Sequence, residues 1–465
     1  MNHQQRVIDH MKKVADGFEK GGGHHESKGL LVAHGMGSGK TLTALWVAKS
    51  FLSRARVSLV HIVAPNVAVA EFATSMKLAG ITPTQAKQIK IVTHDGFASL
   101  KSGSRVKNSL VIVDEAHLFT KTKYLDLVKR DVRYLLLLSG TPCPNEPRDI
   151  VPIVNMLLRN KRNRWSTKTW LNADERRQRA FLRDKVSVYN IGPTHNYIGY
   201  IGHSKRTIGP GYPDFRVNIV KVPLQTSQEK RYAALAKTRE KKSAVSKNMY
   251  PFFSRERKIV NEYHKDIDCT MGVKATPKIM KVAADIVRSV KRSNNGTNKR
   301  LEGGRILVYV HHYQTLTILK RAITTLCDAK QKEIVISEYN GDTSEHQRHK
   351  VKDAFNGGET DVLIVSQAGS VGLDLKCTSK VFMLDVYWNV PTMNQIIGRA
   401  IRTNSHDEKK TGCRHNHVDV KIYISGFSKK YRRKKVYDDH ILTQAEKKWS
   451  DVATMITSVM EKASI

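Results

Sequence analysis

Leu30-Leu31-Val32-Ala33-His34-Gly35-Met36-Gly37-Ser38-Gly39-Lys40-Thr41 is the stretch that decides the fold. Its first four residues are an apolar run suited to a buried strand, and Leu42 to Ala48 follow with helical spacing. Strand, glycine-rich loop and helix form the setting of a phosphate-binding loop. Gly35, Gly37 and Gly39 let backbone N–H groups converge on phosphate oxygens above the positive end of the helix. Ser38 completes the loop, Lys40 suits the terminal phosphates and the Thr41 hydroxyl suits Mg²⁺. The strict G-x-x-x-x-G-K-T pattern is broken, because His34 stands where the first glycine belongs. Taken alone, the segment leaves a chance glycine-rich loop as the competing reading.

Asp114-Glu115-Ala116-His117 answers that competitor. Ser109-Leu110-Val111-Ile112-Val113 is a continuous apolar strand, the composition of a parallel sheet covered on both faces. It delivers two carboxylates at its carboxyl end, where ligands bind in open α/β sheets. Asp114 suits Mg²⁺ and Glu115 suits the attacking water. A third segment, Gln395-Ile396-Ile397-Gly398-Arg399-Ala400-Ile401-Arg402, follows the strand-like run Lys380 to Asp385. Its arginines suit the charge that spreads over a phosphoryl group in transfer, a role worth about 10³ to 10⁵ in turnover. An exposed helix face is the other reading of such a pair.

Superfamily 2 helicase-type ATPases of the DEAH type are what the chain resembles along nearly its whole length. Gln4 resembles the adenine-reading Q motif, with Gln5 as the alternative. Ile62-Val63-Ala64-Pro65-Asn66 and Ile91-Val92-Thr93-His94 look like the motifs that grip a nucleic-acid backbone. Ser139-Gly140-Thr141-Pro142 looks like the motif whose hydroxyls couple the nucleotide site to the nucleic acid, a role the resemblance extends to His117 and Gln395. Arg305 to Val310 resembles the first strand of the second lobe. The run from Ser366 and Gln367 through Gly372 to Asp374 resembles motif V, which places Ser366 and Gln367 on nucleic acid and Gly372 and Asp374 on the nucleotide.

Narrower likenesses follow. The prolines and asparagine of Pro142-Cys143-Pro144-Asn145-Glu146-Pro147, with Tyr387-Trp388-Asn389-Val390-Pro391, resemble the Swi/Snf-type remodelling ATPases. Gly398 to His406, and Asp438-Asp439-His440-Ile441-Leu442 with Gln444 and Lys447, are similar to the nucleoside triphosphate phosphohydrolase I group of poxviruses and other large DNA viruses. What this implies is a DNA-dependent ATPase using ATP and Mg²⁺, translocating on DNA in viral transcription beside RNA polymerase or transcription-factor subunits. An ATP-using initiation-factor subunit and a packaged architectural DNA-binding protein are the alternatives. Virion and host cytoplasm are the implied location, with the nucleus left open; Lys429-Lys430-Tyr431-Arg432-Arg433-Lys434-Lys435 reads as a DNA contact or charged linker in preference to a nuclear localisation signal.

Charge agrees with a nucleic-acid partner. Lys and Arg number 79 against 42 Asp and Glu, a formal balance of +37. Residues 151–300 hold 33 basic and 11 acidic residues, a balance of +22 in a third of the chain. Arg159 to Trp165 and Arg255-Glu256-Arg257-Lys258 are candidates for a phosphate-binding wall, with a generally basic surface as the plainer reading. Core packing is the expected role of Trp165, Trp170 and Tyr250.

The expected architecture is α/β, with two RecA-like parallel-sheet lobes in tandem, a mainly helical basic insertion between them and a C-terminal helix. The expected boundaries are 1–158 for the first lobe, 159–275 for the insertion, 276–428 for the second lobe, and 429–465 for a basic linker and helix. Pro277 suits the first turn of a helix from Lys278 to Val290. Five cysteines without C-x-x-C spacing suggest a reducing compartment and no disulfide framework. Cys413-Arg414-His415-Asn416-His417 suits no usual zinc spacing and lacks a second cluster, so no zinc is expected. No apolar stretch is long enough to span a bilayer, and the first residues begin no secretory signal. Oligomeric state is left open.

Overall fold

The computed structural model describes residues 2–19, 26–35, 37–98, 108–120, 132–189, 196–243, 253–261, 274–290, 304–341, 343–366, 373–428 and 436–465. The chain forms two compact units, residues 1–196 with 447–465, and residues 197–446.

In the first unit the strands are β1 (Gly29–His34), β2 (Val60–Ala64), β3 (Ile89–Thr93), β4 (Leu110–Val113), β5 (Tyr134–Ser139) and β6 (Val186–Tyr189). They lie in the order β3-β2-β4-β5-β1-β6, and every neighbouring pair is parallel. Parallel pairing puts the carboxyl ends of all six at one edge, so the loops after β1, β4 and β5 share that edge. The sheet is covered on both faces. Leu31, Val111, Val113, Leu135 and Leu137 pack into one core. Leu30, Val32, Leu110, Ile112, Leu136 and Leu138 pack into another. A strand alternates its side chains, so two apolar faces make the unbroken apolar runs of β1, β4 and β5.

β6 and the C-terminal residues are held together at the sheet border. Val188 N–H donates to Ser464 Oγ at 2.8 Å, and Ile465 N–H donates to the Val186 carbonyl at 3.1 Å. Val452, Met455, Ile456, Val459 and Met460 enter the same core as Trp170 and Phe181. The basic stretch 159–275 thus adds a strand to this sheet, and one to the other as well.

The second unit contains β7 (Asp214–Pro223), β8 (Arg305–Tyr309), β9 (Ile336–Tyr339), β10 (Val362–Val365), β11 (Thr378–Met383) and β12 (His417–Gly426), in the order β7-β12-β11-β8-β10-β9, again all parallel. Ile306, Val308, Ile364 and Phe382 pack with helices Pro277–Ser289 and Tyr313–Ala329. Pro277 opens its helix as expected, with Thr276 Oγ1 capping Ile279 N–H. The chain is therefore α/β with two parallel sheets in tandem.

A buried ion pair anchors the C-terminal helix Tyr437–Met455 to this unit. Lys278 Nζ lies 3.1 Å from Asp438 Oδ2, with both side chains 1% exposed. Asp438 also accepts from Ser425 N–H at 2.8 Å.

Candidate nucleotide site

The phosphate-loop residues and the acidic pair of the expected site meet at the carboxyl edge of the first sheet. Gly37 and Gly39 have φ of 73° and 79°, left-handed values that side-chain-bearing residues avoid. Gly39 leads directly into helix Lys40–Ser53, so the loop's backbone N–H groups and the positive helix end face the same space. A Cβ on Gly39 would lie 2.4 Å from Gln4 Nε2, which itself donates to the Ser38 carbonyl at 3.2 Å. Gln4 thus braces the loop. His3 Nε2 donates to the same carbonyl at 3.2 Å while its ring stacks on Tyr189, centroids 3.6 Å apart.

The break in the consensus at His34 has a local cause. His34 is the last residue of β1, fully buried, with Nε2 3.0 Å from Ser187 Oγ on the neighbouring strand β6. Its side chain leaves the loop and packs into the sheet, where burial, His3 and Lys40 depress its pKa to about 3. A neutral imidazole there leaves the loop's charge to Lys40. Lys40 Nζ donates to the carbonyls of His34 and Gly35 at 2.9 and 3.1 Å, across the mouth of the loop.

Strand β4 delivers Asp114 and Glu115 to the same edge. Burial and the adjacent Glu115 push the Asp114 carboxyl up to about 7, opposed by Lys40. Such a buried acid is relieved by a divalent cation, which is why Asp114 and the Thr41 hydroxyl fit Mg²⁺. Thr41 Oγ1 donates to Glu71 Oε1 at 3.2 Å, and Glu71 is a further cause of the high Asp114 pKa. Glu71 lies on helix Asn66–Leu78 and had no sequence signal beyond its own charge. Glu115 takes φ of 50°, a left-handed strain that recurs at working residues.

The turn after β4 connects to the end of β5. His117 Nδ1 lies 3.0 Å from Ser139 Oγ and 3.4 Å from Glu115 Oε2. Ser139 Oγ also accepts from Thr141 N–H at 3.1 Å. Burial lowers the His117 pKa, with Glu115 and Asp149 opposing, and its hydrogen bond goes to Ser139. His94 Nε2 donates to the Asp114 carbonyl at 2.9 Å.

The residues expected on nucleic acid in this unit also lie at that edge. Pro65 and Asn66 follow β2 and start helix Asn66–Leu78; Thr93 ends β3, and its Oγ1 accepts from Gly96 N–H at 2.9 Å. Of the first basic run, Lys161 and Arg162 are exposed, while Trp165 stacks on Phe181 at 4.5 Å and Trp170 is buried. Core packing is what these two indoles do.

The second unit holds the remaining expected residues. Arg402 Nη1 lies 3.1 Å from Asp374 Oδ1, and its Nε donates to the Gly398 carbonyl at 3.3 Å. Arg399 Nη1 donates to the Leu373 carbonyl at 3.4 Å. Gln395 lies on helix Val390–Ile397, which Asn389 caps through Thr392 N–H at 2.9 Å. Ser366 follows β10, its N–H donating to the Tyr339 carbonyl at 3.1 Å. Gln367 and Gly372 lie outside the described residues, as do Met36, Tyr250 and the run Lys429–Lys435.

The second basic run does not form a wall. Arg257 is 9% exposed and reaches the Val386 carbonyl and the Tyr437 hydroxyl, with Asp385 nearby, while Glu256 is 2% exposed. Amphipathic helix spacing over Phe253–Asn261 turned half of this run inward.

Two domain families cover the stretch from the middle of the first unit into the second. The SNF2-related domain matches residues 82–265, and the helicase conserved C-terminal domain matches residues 287–404. The chain carries an SNF2-related domain and a helicase conserved C-terminal domain, and with them it is a nucleic-acid-dependent, ATP-hydrolysing enzyme. It is 24% identical to a putative ATP-dependent RNA helicase of Acanthamoeba polyphaga mimivirus over 460 residues, covering 96% of this chain and 93% of that protein. It is 23% identical to a termination factor NPH-I homolog of African swine fever virus, covering 83% of this chain and 68% of that protein. The Sulfolobus solfataricus SWI2/SNF2 ATPase core in complex with dsDNA aligns over 99% of this SNF2-related chain and 96% of its own, at TM-score 0.36 and 15% identity.

Proposed function

We propose that the chain is a DNA-dependent ATPase that translocates on DNA in the transcription of a large DNA virus. The observation that carries the reading is the convergence of Lys40, Thr41, Asp114 and Glu115 at one sheet edge, with His117 linking them to Ser139. In this reading Lys40 and the loop N–H groups hold the phosphates of ATP, and Gln4 reads the adenine. Thr41 and Asp114 hold Mg²⁺, which supplies charge neutralisation between the phosphates. Glu115 orients the attacking water, and Arg399 and Arg402 answer the charge that develops on the transferred phosphoryl group. Asp374, paired with Arg402, serves the nucleotide. Pro65, Asn66, Thr93 and Ser366 grip the nucleic-acid backbone.

DNA is preferred over RNA in this reading because of the SNF2-related domain and the Swi/Snf-like Tyr387 to Pro391. The mimivirus relative's name makes RNA the second candidate. Hydrolysis measured with single-stranded DNA, duplex DNA and RNA at low salt decides between them. Stimulation by DNA above RNA is expected; stimulation by RNA alone overturns the DNA assignment. A forked duplex then separates strand displacement from translocation.

A further inference from the structure

Cys377 and Cys413, 36 residues apart, come together beside His415 in the second unit. The sequence reading expected no disulfide, yet the two sulfurs are joined in one. It also set aside Cys413 and His415 for want of a second cluster, and Cys377 is the missing member. Cys377 Sγ, Cys413 Sγ and His415 Nε2 all lie within 4.8 Å of one another.

We propose that Cys377, Cys413 and His415 form a redox-gated site for a thiophilic divalent cation of the zinc class, closed as the disulfide when oxidised and metal-binding when reduced. The ligand set is two thiolates and one imidazole, a donor combination suited to Zn²⁺. Bonds of about 2.3 Å to sulfur and about 2.0 Å to nitrogen at tetrahedral angles put neighbouring ligand atoms about 3.5 Å apart. His415 Nε2 already lies 3.6 Å from Cys377 Sγ. Neighbouring histidines are committed elsewhere. His406 uses Nε2 on the Thr378 carbonyl and Nδ1 on Ser405 Oγ, and His417 Nε2 meets Asp419.

The backbone around the site is specialised to bring these groups together. Cys377 takes φ of 55°, and Gly412, at 66°, turns the chain just before Cys413. Gly304 takes φ of 69°, and a Cβ there would lie 2.3 Å from His415 Nε2 and 2.6 Å from Ser379 Cβ. Only glycine leaves His415 its place. Cys377 N–H donates to the Ser405 carbonyl at 2.9 Å, and Ser405 Oγ donates to the Arg402 carbonyl at 2.8 Å. The site thus borders the turn that carries Arg402.

The chemistry balances with a low-molecular-weight thiol as reductant. Two such thiols deliver two electrons and two protons to the Cys377–Cys413 bond, giving two cysteine thiols and one external disulfide. Zn²⁺ then displaces both thiol protons to form the dithiolate complex.

The full chain is reduced with excess thiol, freed of it without air, and titrated with Co²⁺. One equivalent is expected to give a thiolate-to-cobalt charge-transfer band that Zn²⁺ bleaches. Oxidised protein and the C377S/C413S double variant are expected to give none. His415→Gln is expected to weaken Co²⁺ binding by more than the roughly 10- to 100-fold that loss of a supporting contact costs. Zn²⁺ is also expected to protect Cys377 and Cys413 of the reduced wild-type chain from alkylation, mapped by peptide mass, which serves if the double variant does not fold. No band in reduced protein, an equal band in the double or oxidised forms, or unprotected cysteines overturns the site. None of these readouts depends on ATP hydrolysis.

Discussion

His117 Nδ1 lies 3.0 Å from Ser139 Oγ, which joins the end of β4 to the end of β5 beside the carboxylate pair. In the proposed mechanism that bond is the first link by which an event at Glu115 reaches the segment after β5. Ser139→Ala is expected to retain ATP binding while reducing nucleic-acid stimulation of hydrolysis about 5-fold, in line with a hydrogen bond worth about 1 kcal/mol. The ratio of stimulated to basal rate is the measurement; an unchanged ratio removes the link.

Glu115→Gln keeps the shape and removes the charge that, in the proposed mechanism, orients water. Turnover is expected to fall by about 10² to 10⁴ with nucleotide affinity retained. Single-turnover hydrolysis with a parallel binding titration checks it, and near-normal turnover assigns Glu115 another role.

If Asp114 holds Mg²⁺ as proposed, it sets the pH response. Its carboxyl is held up to about 7, so below that pH a proton would compete with Mg²⁺ for the same oxygens. Apparent Mg²⁺ affinity in the ATPase assay is expected to weaken from about pH 8 to about pH 6. Glu71 raises the Asp114 pKa, so Glu71→Gln moves this acid limb to lower pH. An acid limb that stays in place in that variant contradicts the assignment.

Much of this site was legible because its chemistry needs local patterns. A glycine loop between strand and helix, and carboxylates at the end of an apolar strand, appear in adjacent residues at Gly37 to Thr41 and Leu110 to Glu115. What escaped depends on tertiary proximity. Glu71 meets Thr41 across 30 residues, and Cys377 meets Cys413 across 36. β6 is short, with Ser187 inside it, and the surrounding positive charge suggested helix and surface. Arg257 looked like one of a basic run until its helix turned it toward Tyr437.

Lys278 and Asp438 are a buried pair whose halves depend on each other. Asp438→Leu or Lys278→Met alone is expected to cost about 3–5 kcal/mol, because one charge is left without its partner. Replacing both with apolar residues costs less than either single change. Urea midpoints of the four proteins check this, and additive losses show that the pair is not coupled.

Hydrolysis of ATP by the full chain at low salt, with and without single-stranded DNA, tests the central claim most directly, with Lys40→Ala as the blank. Hydrolysis that DNA stimulates several-fold and that Lys40→Ala abolishes is the expected result. A rate that no nucleic acid changes, or one that survives loss of Lys40, contradicts it.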